Sequence, residues 1–156
     1  MPESRISTNM INALSAASLA LQYSEQASHP SSRMRLQLLL YLAQGHMLRE
    51  TKNPLFNEHI YAWDEGPVIP EVFGKYKNYG DILCASDGIN VAPGSVSQKD
   101  RETIRETVRM YAPWNDIGLE QLVLSTLPWI NAHKDGPNGI IRKTAIGGYF
   151  SEHPEI

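Results

Sequence analysis

The sequence predicts a mainly α fold: a compact single domain around a central buried helix, with a small β-hairpin or extended element. Three observations carry this. Residues 36–45, Leu-Gln-Leu-Leu-Leu-Tyr-Leu-Ala-Gln-Gly, are apolar on every side of a helix, which places that helix inside others. Several further segments have helical spacing and start at capping residues. Residues 54–70 instead gather β-formers between Pro54 and a Gly66-Pro67 pair. At 156 residues the chain has the length of one domain whose core needs no metal or disulfide.

Met10, Leu14, Ala17 and Leu21 form one face of a first helix, with Thr8 or Asn9 as its N-cap. Ser28-His29-Pro30-Ser31-Ser32 is a loop, and the central helix follows over 33–50. Gly45 lies inside that helix, where glycine costs about 1 kcal/mol against alanine. Close approach of a neighbouring backbone accounts for it, with a hinge as the alternative. Asn53-Pro54 breaks the helix, residues 55–63 are extended or a hairpin, and Gly66-Pro67 turns the chain. Pro70 suits the first turn of a helix bearing Val72, Phe73, Tyr76 and Tyr79, which Gly80 ends.

Asp87-Gly88 and Pro93-Gly94 are turns around a short strand at 89–91. Ser97-Gln98-Lys99-Asp100 resembles a capping box and opens a helix that buries Ile104, Val108 and Tyr111. Its charges, Arg101, Glu102, Arg105, Glu106 and Arg109, face water. Leu119, Leu122, Val123 and Thr126 mark another helix, and Pro128 starts one more turn bearing Trp129 and Ile130. Asp135-Gly136-Pro137-Asn138-Gly139 is a turn before a last helix over 143–150.

A net charge of −3 and a pI near 5.9 argue against a non-specific grip on nucleic acid, which needs a basic excess or stripe. The basic clusters Arg33/Arg35, Lys75/Lys77 and Arg142/Lys143 are pairs only. Cys84 stands alone, so no internal disulfide forms, and a reducing cytoplasm is the expected compartment. The amino terminus does not read as a signal peptide. The longest apolar run, 38–43, is far short of the ~20 residues a membrane span needs.

No motif announces catalysis. His29, His46, His59, His133 and His153 show no i, i+4 pair and no cysteine in zinc-ligand spacing. No phosphate-cradling glycine loop or nucleophile elbow occurs. Glu58-His59 and Asp64-Glu65 are acid–base candidates by type, but adjacency in sequence does not make them converge, and surface polar residues are the simpler reading. No metal or cofactor is expected. Arg33 and Arg35 are the odd feature, because positive charge near a helix N-terminus opposes the macrodipole by about 0.3–1 kcal/mol each. Either both reach solvent, or they are kept to meet an acidic partner.

Three blocks resemble the Panacea domain family of small phage-, prophage- and plasmid-associated proteins typified by antitoxins. Ser32, Met34, Arg35, Leu36, Gln37, Leu39, Leu40, Tyr41, Ala43, Gln44 and Gly45 fill the first. Pro54, Leu55, Phe56, Glu58, Ile60, Ala62 and Trp63 fill the second. Gly66, Pro67, Val68, Pro70, Tyr76, Lys77, Tyr79 and Gly80 fill the third, and Pro128-Trp129 and Tyr149-Phe150 match late pairs. The chain departs at Leu38 (usually lysine), Leu42 (usually aromatic), His46 (usually Trp) and Leu127, where a polar lead-in is common.

The resemblance implies a domain over 8–150, with 1–7 and 151–156 as flexible ends. It implies a cytoplasmic, non-enzymatic protein that neutralises a cognate protein toxin by direct binding. The alternatives are an adaptor that delivers the toxin to a AAA+ protease and a phage-encoded anti-defence or regulatory protein. An enzyme acting on nucleic acid or a nucleotide is the more distant rival. The candidate partner-binding residues are Arg33, Arg35, Gln37, Trp63, Glu65, Tyr76 and Tyr79. Large aromatics and arginines dominate interface energetics. For the tyrosines and Trp63, core packing is the competing role.

Overall fold

A computed structural model describes residues 10–136 and 138–156. Helix α1, Ala13–Gln26, begins where the Asn12 side chain accepts the Ser15 N–H. The Glu58 carboxylate accepts the Ala13 N–H at 3.1 Å from 45 residues away, which fixes the helix start from outside. Thr8 and Asn9 lie outside the described residues, and Met10 precedes the helix instead of lining its face. Ala13, Ala16, Ala17 and Ala20 are buried, and these small side chains let α1 pack closely.

Helix α2, Arg33–Thr51, is capped by the Ser32 hydroxyl, and every residue from Arg35 to Leu48 is buried. A helix with no solvated face must be surrounded. Four helices do this: α1, α4 (Gln98–Tyr111), α5 (Asp116–Leu124) and α7 (Lys143–Glu152). Gly45 is where α7 comes closest, since a Cβ there would lie 2.4 Å from Phe150 Cε2. The close neighbour is the Phe150 ring and not a backbone, so the glycine makes room for an aromatic side chain. Lys52, in the left-handed conformation at φ 66°, ends α2.

The buried polar side chains of α2 bind the surrounding backbone. Gln44 Oε1 accepts the Leu55 N–H at 2.7 Å while its amide donates to the Phe56 carbonyl at 2.9 Å. Two turns earlier, Gln37 Oε1 accepts the Ile69 N–H at 2.9 Å. One face of one helix thus holds both ends of residues 55–69, and an unpaired buried amide would cost about 1–3 kcal/mol.

Between those clamps lie strands β2 (Ile60–Trp63) and β3 (Gly66–Val68). Their hairpin turns at Asp64-Glu65, so Gly66-Pro67 is the start of the return strand and not the turn. Gly66 is needed there for its φ of 142°, which a side chain would strain. Short β5 (Ile140–Ile141) pairs on the other edge of β2. A second ribbon joins β1 (Ser31–Ser32) to β4 (Ile82–Leu83). The strand expected at 89–91 does not form, because the Ile89 N–H goes to the Ser18 hydroxyl of α1 at 2.8 Å.

Helix α3, Pro70–Tyr76, follows β3, with Pro70 in its first turn. Helix α6, Leu127–His133, packs on β2 and β5. Helix α7 runs to Glu152 and Ile156 is buried, while Arg49 donates to the carbonyls of Phe150 and His153. Ile156 is thus buried against the body, while Ser151, Glu152, Pro154 and Glu155 are exposed.

Candidate functional interface

A groove of about 540 Å³ opens between the first two turns of α2, the β2–β3 hairpin and α3. Its apolar lining comes from Met34, Leu36, Trp63, Val72 and Phe73. Trp63 and Phe73 meet edge-to-face with ring centroids 5.2 Å apart, and Phe73 remains 44% exposed. An exposed phenyl ring beside a partly exposed indole is a large apolar surface with a defined shape, the type of anchor that partner proteins use. The hairpin is rigidly mounted. Gln37 holds its exit, the Trp129 indole N–H donates to the Trp63 carbonyl at 3.2 Å, and His133 pairs with Asp64 at 2.8 Å.

The charged lining is Arg33, Glu65, Asp81 and Asp116. Arg33 donates to the carbonyls of Tyr79 and Gly80 and lies 3.6 Å from the Asp81 carboxylate. Asp116 accepts the Ser32 hydroxyl at 2.7 Å and pairs with Arg35 at 3.0 Å. A carboxylate over the first turn of α2 offsets the positive end of its dipole. Burial raises the pKa of the Tyr76 phenol above its ordinary value.

Five of the seven sequence-derived candidates converge on this groove: Arg33, Gln37, Trp63, Glu65 and Tyr76. Tyr79 lies beside it, stacked edge-to-face on Tyr76 and 38% exposed. Three need correction. Gln37 is 8% exposed and its amide is bonded to the Ile69 backbone in both directions, so it holds the groove wall and offers no free polar group. Arg35 is 2% exposed and donates to the Tyr111 and Trp114 carbonyls as well as to Asp116, so it meets no solvent and ties the start of α2 to the α4–α5 loop. Tyr76 is equally buried, so it backs the wall of the groove and offers almost no surface to a partner. Arg35 is not free to meet an acidic partner, whereas Arg33, its side chain 39% exposed, is tied through one nitrogen to two carbonyls and faces Asp81 across 3.6 Å.

Phe73, Asp81 and Asp116 were not among the candidates. Phe73 had a signal in its place after Pro70, one position on from a core residue, but helical spacing alone did not separate its exposed face from the buried one. The acid–base candidates separate: Glu58 serves the N-terminus of α1, while Asp64 engages His133. Among the described residues, no three His, Cys, Asp or Glu side chains are grouped so as to hold a metal ion.

Residues 36–130 match the family model described as antitoxin SocA-like, Panacea domain. The chain belongs to this family. The matched span contains the hairpin and α3, that is, most of the groove. Over 73 residues the Panacea chain is also 36% identical to the antitoxin SocA of Caulobacter vibrioides (strain NA1000 / CB15N). That alignment covers 47% of this chain and 39% of the relative, so the chain matches well under half of the relative's length. No solved structure matches.

Proposed function

We propose that this Panacea protein is an antitoxin that neutralises a cognate protein toxin by binding it directly, with the groove between α2, α3 and the hairpin as the contact surface. Family membership supports an antitoxin-type role. The observation that carries the binding mode is the edge-to-face pair of the partly exposed Trp63, on a hairpin that buried glutamines hold in place, and the exposed Phe73 of α3. A preformed aromatic anchor loses little entropy on binding. No catalytic step is assigned to the chain, and its site of action is the cytoplasm. Among the described residues no helix is long and apolar enough to cross a membrane.

The test is co-expression with the product of the neighbouring open reading frame. The wild-type chain relieves growth arrest, and Phe73→Asp, a change at an exposed position, loses relief while keeping the thermal midpoint. Relief undiminished by Phe73→Asp and by Trp63→Ala would remove the groove from the mechanism. Relief that needs a host AAA+ protease, with toxin levels falling, would replace masking by delivery.

A further inference from the structure

The groove's electrostatics are opposite to what its lone exposed arginine suggests. The Arg33 guanidinium is drawn to two backbone carbonyls and faces Asp81 across 3.6 Å, which offsets part of its charge. At the start of α2, where an anion would otherwise be favoured, the Ser32 hydroxyl accepts the Arg35 N–H and Asp116 sits against that hydroxyl. The site for a phosphate or a partner carboxylate is already filled from within. Glu65, by contrast, is exposed at the hairpin turn and makes no ion pair among the described residues. The Asp81 side chain is 98% exposed, and among the described residues its ion-pair partner is Arg33, 3.6 Å away. An apolar floor therefore lies between carboxylates that retain unused acceptor capacity.

From this charge pattern we infer that the groove takes a cationic, apolar-anchored segment of the partner protein. One large apolar side chain inserts beside Trp63 and Phe73, and a flanking lysine or arginine meets Glu65 or Asp81. The inference rests on the binding role proposed above and specifies the chemistry of the partner's contact segment. Such a segment gains selectivity as well as affinity. Like charge facing Glu65 and Asp81 is rejected, and opposite charge speeds encounter in a salt-dependent way. The chain's net charge of −3 acts in the same direction.

The experiment uses two synthetic peptides with identical leucine and phenylalanine anchors, one flanked by lysine and arginine, the other by glutamate. Each is titrated into the full chain, with NMR shifts of the Trp63 indole and Phe73 ring as the site readout. The cationic peptide should bind at least tenfold more tightly and shift both rings. Its advantage should shrink at high salt. In the double variant Glu65→Lys/Asp81→Lys, both changes at exposed positions, the preference should reverse. Equal binding of the two peptides, stronger binding of the glutamate peptide, no binding of the cationic one, or shifts that map elsewhere would each overturn the inference. The two readings fail separately. Cationic-peptide binding in the groove without toxin neutralisation would remove the antitoxin role alone. Neutralisation with no cationic preference would remove this inference alone.

Discussion

Arg35 shows how a residue can look functional in sequence and be structural in the fold. A guanidinium in the first turn of a helix opposes the dipole, and nothing near it in the chain explains its presence. Its partners lie 76, 79 and 81 residues away, at Tyr111, Trp114 and Asp116. The anomaly was legible. Its reason was not, because no local pattern encodes a contact across that separation. The resulting prediction reverses the one that an exposed arginine would license. Arg35→Glu would place a carboxylate against two carbonyls and Asp116, and breaking a buried pair of this kind costs about 3–5 kcal/mol. Denaturant unfolding should show the midpoint falling steeply. A variant with the wild-type midpoint would mean that Arg35 is not held as described. Trp63 and Glu65 were readable as candidates because the hairpin in which they sit is a short, sharply bounded motif. Phe73 was not, since its exposure depends on how α3 rolls against α2.

Among the elements, α2 was legible almost to its ends, because a helix with apolar residues on every side allows only one environment. The hairpin was legible as an element but not in its register. The short β5 strand that completes its sheet, Ile140–Ile141, has too few residues for a periodicity. The turn was misplaced onto Gly66-Pro67, where the glycine instead serves a strand residue of positive φ. The physical link between the two family blocks is the pair Gln37 and Gln44, spaced two helical turns apart and bonded to backbone at both ends of residues 55–69. Gln44→Leu would keep the volume but orphan the Leu55 N–H and the Phe56 carbonyl, at about 1–3 kcal/mol each. The denaturation midpoint should drop accordingly, and the Leu55 amide should lose its protection from hydrogen exchange. An amide that stays protected would show that other contacts fix the hairpin's entry.

At the scale of the molecule, α2 is the element against which the other helices pack, so damage to it is global. Leu40 is fully buried, and Leu40→Ala should cost about 2–5 kcal/mol through lost transfer energy and the cavity left behind. An unchanged unfolding midpoint would refute the central position. The same burial makes the fold sensitive to acid through His46. Its ring is stacked on Tyr111 and meets Phe150 edge-on, inside the contact between α2, α4 and α7. The Thr107 hydroxyl already donates to the Thr103 carbonyl, so it accepts the His46 Nδ1–H at 2.8 Å, and Nε2 is left without a partner. Burial first, and then the Arg49 charge, lower the pKa of this imidazole from 6.5 to about 4, while the Ile156 backbone and Glu50 pull weakly the other way. Since the folded value lies below the unfolded one, the unfolded chain binds the proton first as pH drops. Stability should therefore fall from about pH 6.5 down to about pH 4 and level off below, with a loss of about 2 kcal/mol already present at pH 5. His46→Gln can keep the hydrogen bond to Thr107 but cannot titrate. Urea unfolding of both proteins at pH 7 and pH 5 separates this histidine from the other four. The wild type should lose about 2 kcal/mol more than the variant over that interval. An equal loss in both would mean that the acid sensitivity comes from elsewhere in the chain.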